Sequence, residues 1–283
     1  MKAINLICLC IALATQLMAV EEASFDRTIS ISGPVELDVK TASGGITVTH
    51  GSPGSVRIHA ILKADEGWFS SGDVAERMRE LERNPPVEQN GNRVRLGYLV
   101  GGRELLKGIS IRFEIQTPPD TRVQASSSSG GIRVDGVHGP VDCKTSSGGI
   151  EVHDIAGDVH VSSSSGGQHI RNIKGAVFDR SSSGGIEALE VAGPLDAEAS
   201  SGSLRLGQTV AAPIRVRTAS GGVTVELARN SGYDLSVATG SGSMTIPEMT
   251  VNSSFSRHHI EGKVRSGGPM VSIRTASGSV RID

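Results

Sequence analysis

Short runs of alternating apolar and polar residues fill most of this chain, and Ser-Gly pairs punctuate them. The pairs place glycine at Gly44, Gly130, Gly148, Gly166, Gly184, Gly202, Gly221, Gly242 and Gly278, with spacings from Gly130 onward of 18, 18, 18, 18, 19, 21 and 36 residues. Columns read down this repeat are apolar. Seven residues before each glycine stand Leu37, Val123, Val141, Val159, Val177, Leu195, Ile214, Leu235 and Val271. Two residues after it stand Ile46, Ile132, Ile150, Gln168, Ile186, Leu204, Val223, Met244 and Val280. Period-2 alternation marks half-buried strands, so each unit supplies two short strands joined by turns.

One such unit cannot bury its apolar face alone, whereas stacked equivalent units share a continuous core. The pattern therefore predicts an all-β fold, a parallel β-solenoid (β-helix) with 18-residue coils and two sheets in cross-section. No helical period occurs between residues 118 and 283. The spacing of 36 predicts one degenerate coil between Gly242 and Gly278. Glycine at the corner admits a tight turn and close backbone approach. The serines just before it, such as Ser147 and Ser165, are expected to stack as a hydroxyl ladder bonded to one another or to the turn.

Three segments depart from the repeat. Residues 1–19 combine Lys2, an apolar stretch and a small residue at Ala19, which reads as a secretory signal peptide. That run is too short to anchor in a bilayer. The remainder, 20–283, reads as a single solenoid domain: first strands and coil in 20–62, a helical insertion with capping strands in 63–117, and the repeat array in 118–283. In the insertion, Asp73 is a plausible helix N-cap, Val74, Met78 and Leu81 share one helical face, and Asn84-Pro85-Pro86 stops the helix. Arg93–Tyr98 and Ile109–Ile115 then read as two strands. The segment is expected to cover an open sheet edge, with Trp68-Phe69 or Leu105-Leu106 as the alternative partner contact. At the far end, Val280–Asp283 stops in mid-coil. Either 247–268 folds back over that edge or a second copy finishes it by end-to-end association.

Composition narrows the choices. The chain of 283 residues is 37% hydrophobic but only 3% aromatic, too apolar for disorder and poor in the large rings of an ordinary sandwich core. A formal charge of −2 offers no basic surplus for nucleic acid. Cys8 and Cys10 fall inside the export segment, leaving Cys143 alone and no internal disulfide. The eight histidines form no zinc spacing with cysteine. No aspartate column repeats as it does in calcium-binding solenoids. No nucleophile elbow or phosphate loop stands between a strand and a helix. These readings predict no catalytic residue, no metal and no cofactor.

Two features carry whatever polar chemistry the repeat has. The outward column Arg133, Glu151, His169, Glu187 and Arg205 is expected to form a salt-bridge ladder. One coil breaks the inward pattern: Gln168 and Asp179 fall in apolar columns, while His160 lies in the outward column between Asp142 and Phe178. His160, Gln168 and Asp179 are the ligand-binding candidates. The competing reading is a local bulge that shifts the register.

The segments Ile109–Pro118, Thr145-Ser146-Ser147-Gly148-Gly149-Ile150-Glu151-Val152 and Val216–Val225 resemble the bacterial putative-adhesin family of β-strand-repeat proteins, a domain-of-unknown-function family. The resemblance covers most of residues 27–283. It implies the solenoid architecture and cell-surface adhesion, and it carries over no catalytic residues. The expected function is an exported, non-enzymatic adhesin or cell-envelope scaffold, located in the periplasm, on the outer surface or outside the cell. Its partner would be an envelope protein or a surface glycan, with no nucleic acid and no integral membrane span in the mature chain. The alternatives are a carbohydrate-active β-helix enzyme and a periplasmic protein-binding component of an envelope-stress system.

Overall fold

Each short strand sends its apolar residues one way. In Val141–Thr145 the residues Val141, Cys143 and Thr145 are buried while Asp142 and Lys144 face solvent. The computed structural model describes residues 22–64, 72–98, 103–246, 250–256 and 258–283. The export segment read at 1–19 and the Trp68-Phe69 pair lie outside the described residues.

Two long sheets, with 12 and 13 strands among the described residues, enclose one core. We refer to them as sheet A and sheet B. The chain runs from a strand of sheet B around a Ser-Gly corner into sheet A, then around a second corner back to sheet B. Val123, Val141, Val159, Val177 and Leu195 are direct parallel neighbours in sheet B. Ile132, Ile150, Gln168, Ile186 and Leu204 are their counterparts in sheet A. The apolar columns thus form the core, filled mainly by Val, Ile, Leu and Ala. A core only two sheets thick has little room for rings, which accounts for the low aromatic content. Phe113 and Tyr233, the largest fully buried side chains, lie toward its ends.

The Ser-Gly corner is held differently from the serine ladder expected. Ser147 is exposed, and the working hydroxyls belong to the buried residue two positions earlier. The backbone N–H of Gly130, Gly148, Gly166 and Gly184 donates to the hydroxyl of Ser127, Thr145, Ser163 and Ser181 at 2.8, 3.0, 2.9 and 2.8 Å. An inward hydroxyl beneath a corner has no water and must find a partner, and the turn's N–H supplies it. The outer serines contribute through their backbone: Ser147 N–H donates to Ser128 C=O and Ser165 N–H to Ser146 C=O, both at 3.0 Å. One contact of the expected kind exists among the described residues, between the hydroxyls of Ser241 and Ser277 at 3.0 Å.

Close approach makes glycine necessary at these corners. A Cβ on Gly166 would overlap the carbonyl oxygen of Gly148, and one on Gly148 that of Gly130. The opposite corner carries a second glycine stack. A Cβ on Gly157 would lie 2.6 Å from the carbonyl carbon of Gly139, and Gly175 and Gly193 repeat the crowding. Beside that stack Asp154, Asn172 and Glu190 adopt φ of 57°, 55° and 58°, a left-handed conformation that Asn and Asp tolerate best. The Asn172 amide donates to the Asp154 carboxylate across neighbouring coils.

Both ends of the stack are interleaved. At one end Val35–Thr41 and Ile46–His50 form the second coil, because Arg93–Leu96 and Ile109–Thr117 pack outside them. The two strands read in the insertion therefore belong to opposite sheets and build a further coil. Ser55–Ala64 and Glu22–Ser30 extend sheet A antiparallel beyond it, and Val87–Asn90 closes sheet B. Helix Gly72–Arg83 buries Val74, Met78 and Leu81, as its spacing predicts. Asp73 lies within its first turn. Leu105 and Leu106 are half-buried in a short turn, with Leu106 packed on the core.

The other end corrects two expectations. Met270–Ser277 and Val280–Ile282 insert between Ile214–Ser220/Val223–Glu226 and Tyr233–Ser241/Met244–Thr245. Val280–Ile282 is thus an interior strand. The 36-residue gap holds no degenerate coil but an antiparallel pair, Thr250–Ser256 and His259–Val264, laid over Tyr233–Ser241. The fold-back is real, but it covers a coil earlier in sequence.

Candidate functional site

The three candidate residues sit in one region but on two sides of sheet B. His160 faces outward, its ring stacked on that of Phe178 with centroids 4.6 Å apart and planes inclined by 15°. Phe178 is 41% exposed, unusual for a ring on an otherwise polar face. Asp142 and Asp196 flank this pair in the same column. Gln168 and Asp179 point inward and are fully buried. The structure therefore puts both Gln168 and Asp179 in the core and separates them from His160.

No bulge relieves that coil. The pairing of Val177–Ser181 with both neighbours runs without a shift, so the polar groups are buried in register. The Gln168 amide donates to the Arg180 carbonyl at 2.9 Å, leaving its oxygen unpartnered. Both Asp179 oxygens also lack partners. Burial pushes the Asp179 carboxyl well above its ordinary range, because a lone carboxylate in an apolar column is costly. The neutral acid carries a hydroxyl donor, and the free oxygen of Gln168 in the same coil is an acceptor. Cys143, in the same column as Asp179, is buried, and desolvation raises its thiol far above the usual range. A thiol so held is not a nucleophile.

The register does shift elsewhere, between Ala188 and Val191. There Leu189 turns down, and Gly207 stands in a column that carries Asp135, His153 and Arg171 in other coils. A Cβ at 207 would meet Leu189 Cδ2 at 3.1 Å. The missing side chain opens a hollow of about 490 Å³ beside the second corner, with Leu189, Gln208 and Thr209 among its lining. It joins a more apolar hollow of about 320 Å³ at Leu227, Arg229 and Asp283.

Ion pairs rim the larger hollow. Arg171 meets Glu190 at 3.5 Å and Arg205 meets Glu226 at 2.8 Å. The ladder expected in this sheet is only partly made. Arg133 does bind Glu151 at 2.7 Å, but Arg205 reaches past Glu187 to Glu226, one coil on and two residues further along its strand. Sequence reasoning missed this hollow. Its signal was a leucine and then a glycine, Leu189 and Gly207, in one otherwise charged column, which only a traced register exposes.

A family model matches residues 18–283, described as Toastrack DUF4097. The chain belongs to this family. Among curated proteins none matches. Two solved structures align over most of the Toastrack chain. A "putative cell adhesion protein" from Clostridium sporogenes is 11% identical, covering 93% of this chain and 99% of its own, with a TM-score of 0.28. A "putative adhesin" from Bacteroides fragilis is 12% identical, covering 92% and 97%, with a TM-score of 0.48. Kinship rests on the family model, not on these two structures. Among the described residues of the Toastrack chain, no helix is long and apolar enough to cross a membrane.

Proposed function

We propose that this Toastrack chain is an exported, non-enzymatic solenoid that presents its sheet faces to a partner in the cell envelope, as an adhesin or scaffold. The observation that carries the reading is the contrast between its inward and outward columns. Inward positions repeat Val, Ile and Leu from coil to coil, whereas one outward column runs Asp142, His160, Phe178, Asp196 and Arg215 without a theme. Stacking demands only the inward set, so outward residues are free to be chosen for a partner. We read the coils as 18-residue units in the middle of the array, which sets outward side chains about 4.8 Å apart along a rigid face. A fixed, extended array suits recognition of a repetitive or broad partner.

Protease shaving of intact cells that produce a tagged chain tests this reading, with a periplasmic marker as control. Loss of the tag while the marker survives is the expected result for an adhesin. Protection of both, with release on osmotic shock, rejects the adhesin and leaves the periplasmic scaffold.

A further inference from the structure

We infer that the hollow beside Gly207 binds a sugar unit carrying a carboxylate, a uronic acid within an acidic glycan. The inference rests on the proposed binding role and names its ligand chemistry. Nearly every charge around the hollows is already paired. Around the larger hollow Arg171 is matched by Glu190, Arg205 by Glu226, and Asp283 by Arg281 at 2.7 Å. In the smaller hollow Arg265 is tied to the Ser231 carbonyl at 2.6 Å. Arg229 is exposed, lines both hollows, and meets no counter-charge among the described residues. A planar guanidinium without a partner is complementary to a carboxylate, which it holds in a two-pronged grip.

The walls specify the rest of the ligand. Leu189 and Leu227 form an apolar floor suited to the C–H face of a pyranose ring. Glu190 and Glu226 present carboxylate oxygens, and Thr209 a hydroxyl, for sugar hydroxyls. Gln208 is locked in place, donating to the Gly193 carbonyl at 3.0 Å and accepting from the Tyr233 hydroxyl at 3.3 Å. That packing makes the floor rigid. A hollow of about 490 Å³ lies within the usual span of small-ligand sites, about 300–1,000 Å³. A free inorganic anion would use Arg229 alone and leave the apolar floor wet.

Calorimetric titration of the purified full chain with digalacturonate tests the assignment, with its neutral methyl ester and inorganic phosphate as comparators. Saturable one-to-one binding is expected. Arg229→Ala, and separately the ester, should weaken it about tenfold or more. Gly207→Leu should abolish it by filling the hollow, with an unchanged circular dichroism spectrum showing that the fold survives. Absence of saturable binding, or binding indifferent to Arg229→Ala, overturns the inference. Displacement by phosphate at equal concentration also overturns it, since the site would then be a plain anion site. Because the titration uses purified protein, its failure leaves the shaving result untouched, and the reverse holds too.

Discussion

The two corners of each coil solve one steric problem with different residues. At the Ser-Gly corner a buried hydroxyl braces the turn, and glycine lets Gly148 and Gly166 stack backbone on backbone. At the opposite corner a single glycine per coil does the stacking, and Asp154, Asn172 and Glu190 take up the left-handed conformation. The first corner is therefore built from identical small residues. The second tolerates variety around one invariant requirement, the absence of a Cβ. The hollow beside Gly207 opens next to this second, more variable corner.

The sharpest way to break the comparison is to add one carbon at each corner. Gly166→Ala and Gly157→Ala should each cost about 3 kcal/mol or more, because the added Cβ meets backbone that cannot yield. Equal losses in urea unfolding would show that both stacks constrain the coil alike. A near-neutral Gly157→Ala would show that the second corner relaxes.

Next in size is the bracing hydroxyl. Ser163→Ala strands the N–H of Gly166, itself buried, and should cost about 1–3 kcal/mol. Ser165→Ala at the exposed neighbour should stay within about 0.5 kcal/mol. Thermal melts of the pair distinguish a brace from a surface ladder.

The buried acid gives a change of opposite sign. Asp179→Val should stabilise the chain at neutral pH by about 1–3 kcal/mol, since Val161 and Ala197 already flank the position. The sign of its pH dependence follows from proton counting. The folded state keeps its proton at pH values where the unfolded chain has released it, so stability falls as pH rises above the ordinary carboxylate range. The slope approaches about 1.4 kcal/mol per pH unit until the raised folded value is passed. Asp179→Asn should flatten that slope in melts taken from acid to neutral pH. A partner that binds wild type but not either variant would instead make Asp179 part of a site.

The smallest effect belongs to the exposed ladder. Arg133→Ala removes its contact with Glu151, yet both side chains are about half exposed, so less than about 1 kcal/mol is expected. A larger loss would mean that outward columns share in holding the stack.

Much of this architecture was legible in the chain. Apolar columns such as Val141, Val159 and Val177 need no tertiary information, because period and alternation fix their direction. The anomalous Gln168 and Asp179 were legible for the same reason, and both lie where the columns put them. The assumption that polar residues would escape the core was the error, since a regular stack holds its register even at the cost of unpartnered oxygens. The second glycine stack went unread because one glycine per coil, amid Pro140, Asp158 and Ala176, has no dipeptide signature. Spatial order at the ends was illegible in principle. Local pattern states that Val271 belongs in a coil, but not that its neighbours are Ile214 and Leu235.

That interleaving bears on how the molecule comes together and how it resists coming apart. Central coils dock on sequence neighbours, so they can zip progressively with little loop-closure cost. Tyr233–Ser241 has no strand beside Ile214–Ser220 until Met270–Ser277 slides between them. The last coils can therefore close only after Val280–Ile282 is available, which keeps this region open until the final strands have been made. Once closed, the geometry works as a clasp. Peeling Met270–Ile282 away meets another coil lying outside it, so unravelling must first lift Tyr233–Ser241, Met244–Thr245 and the antiparallel pair beside them.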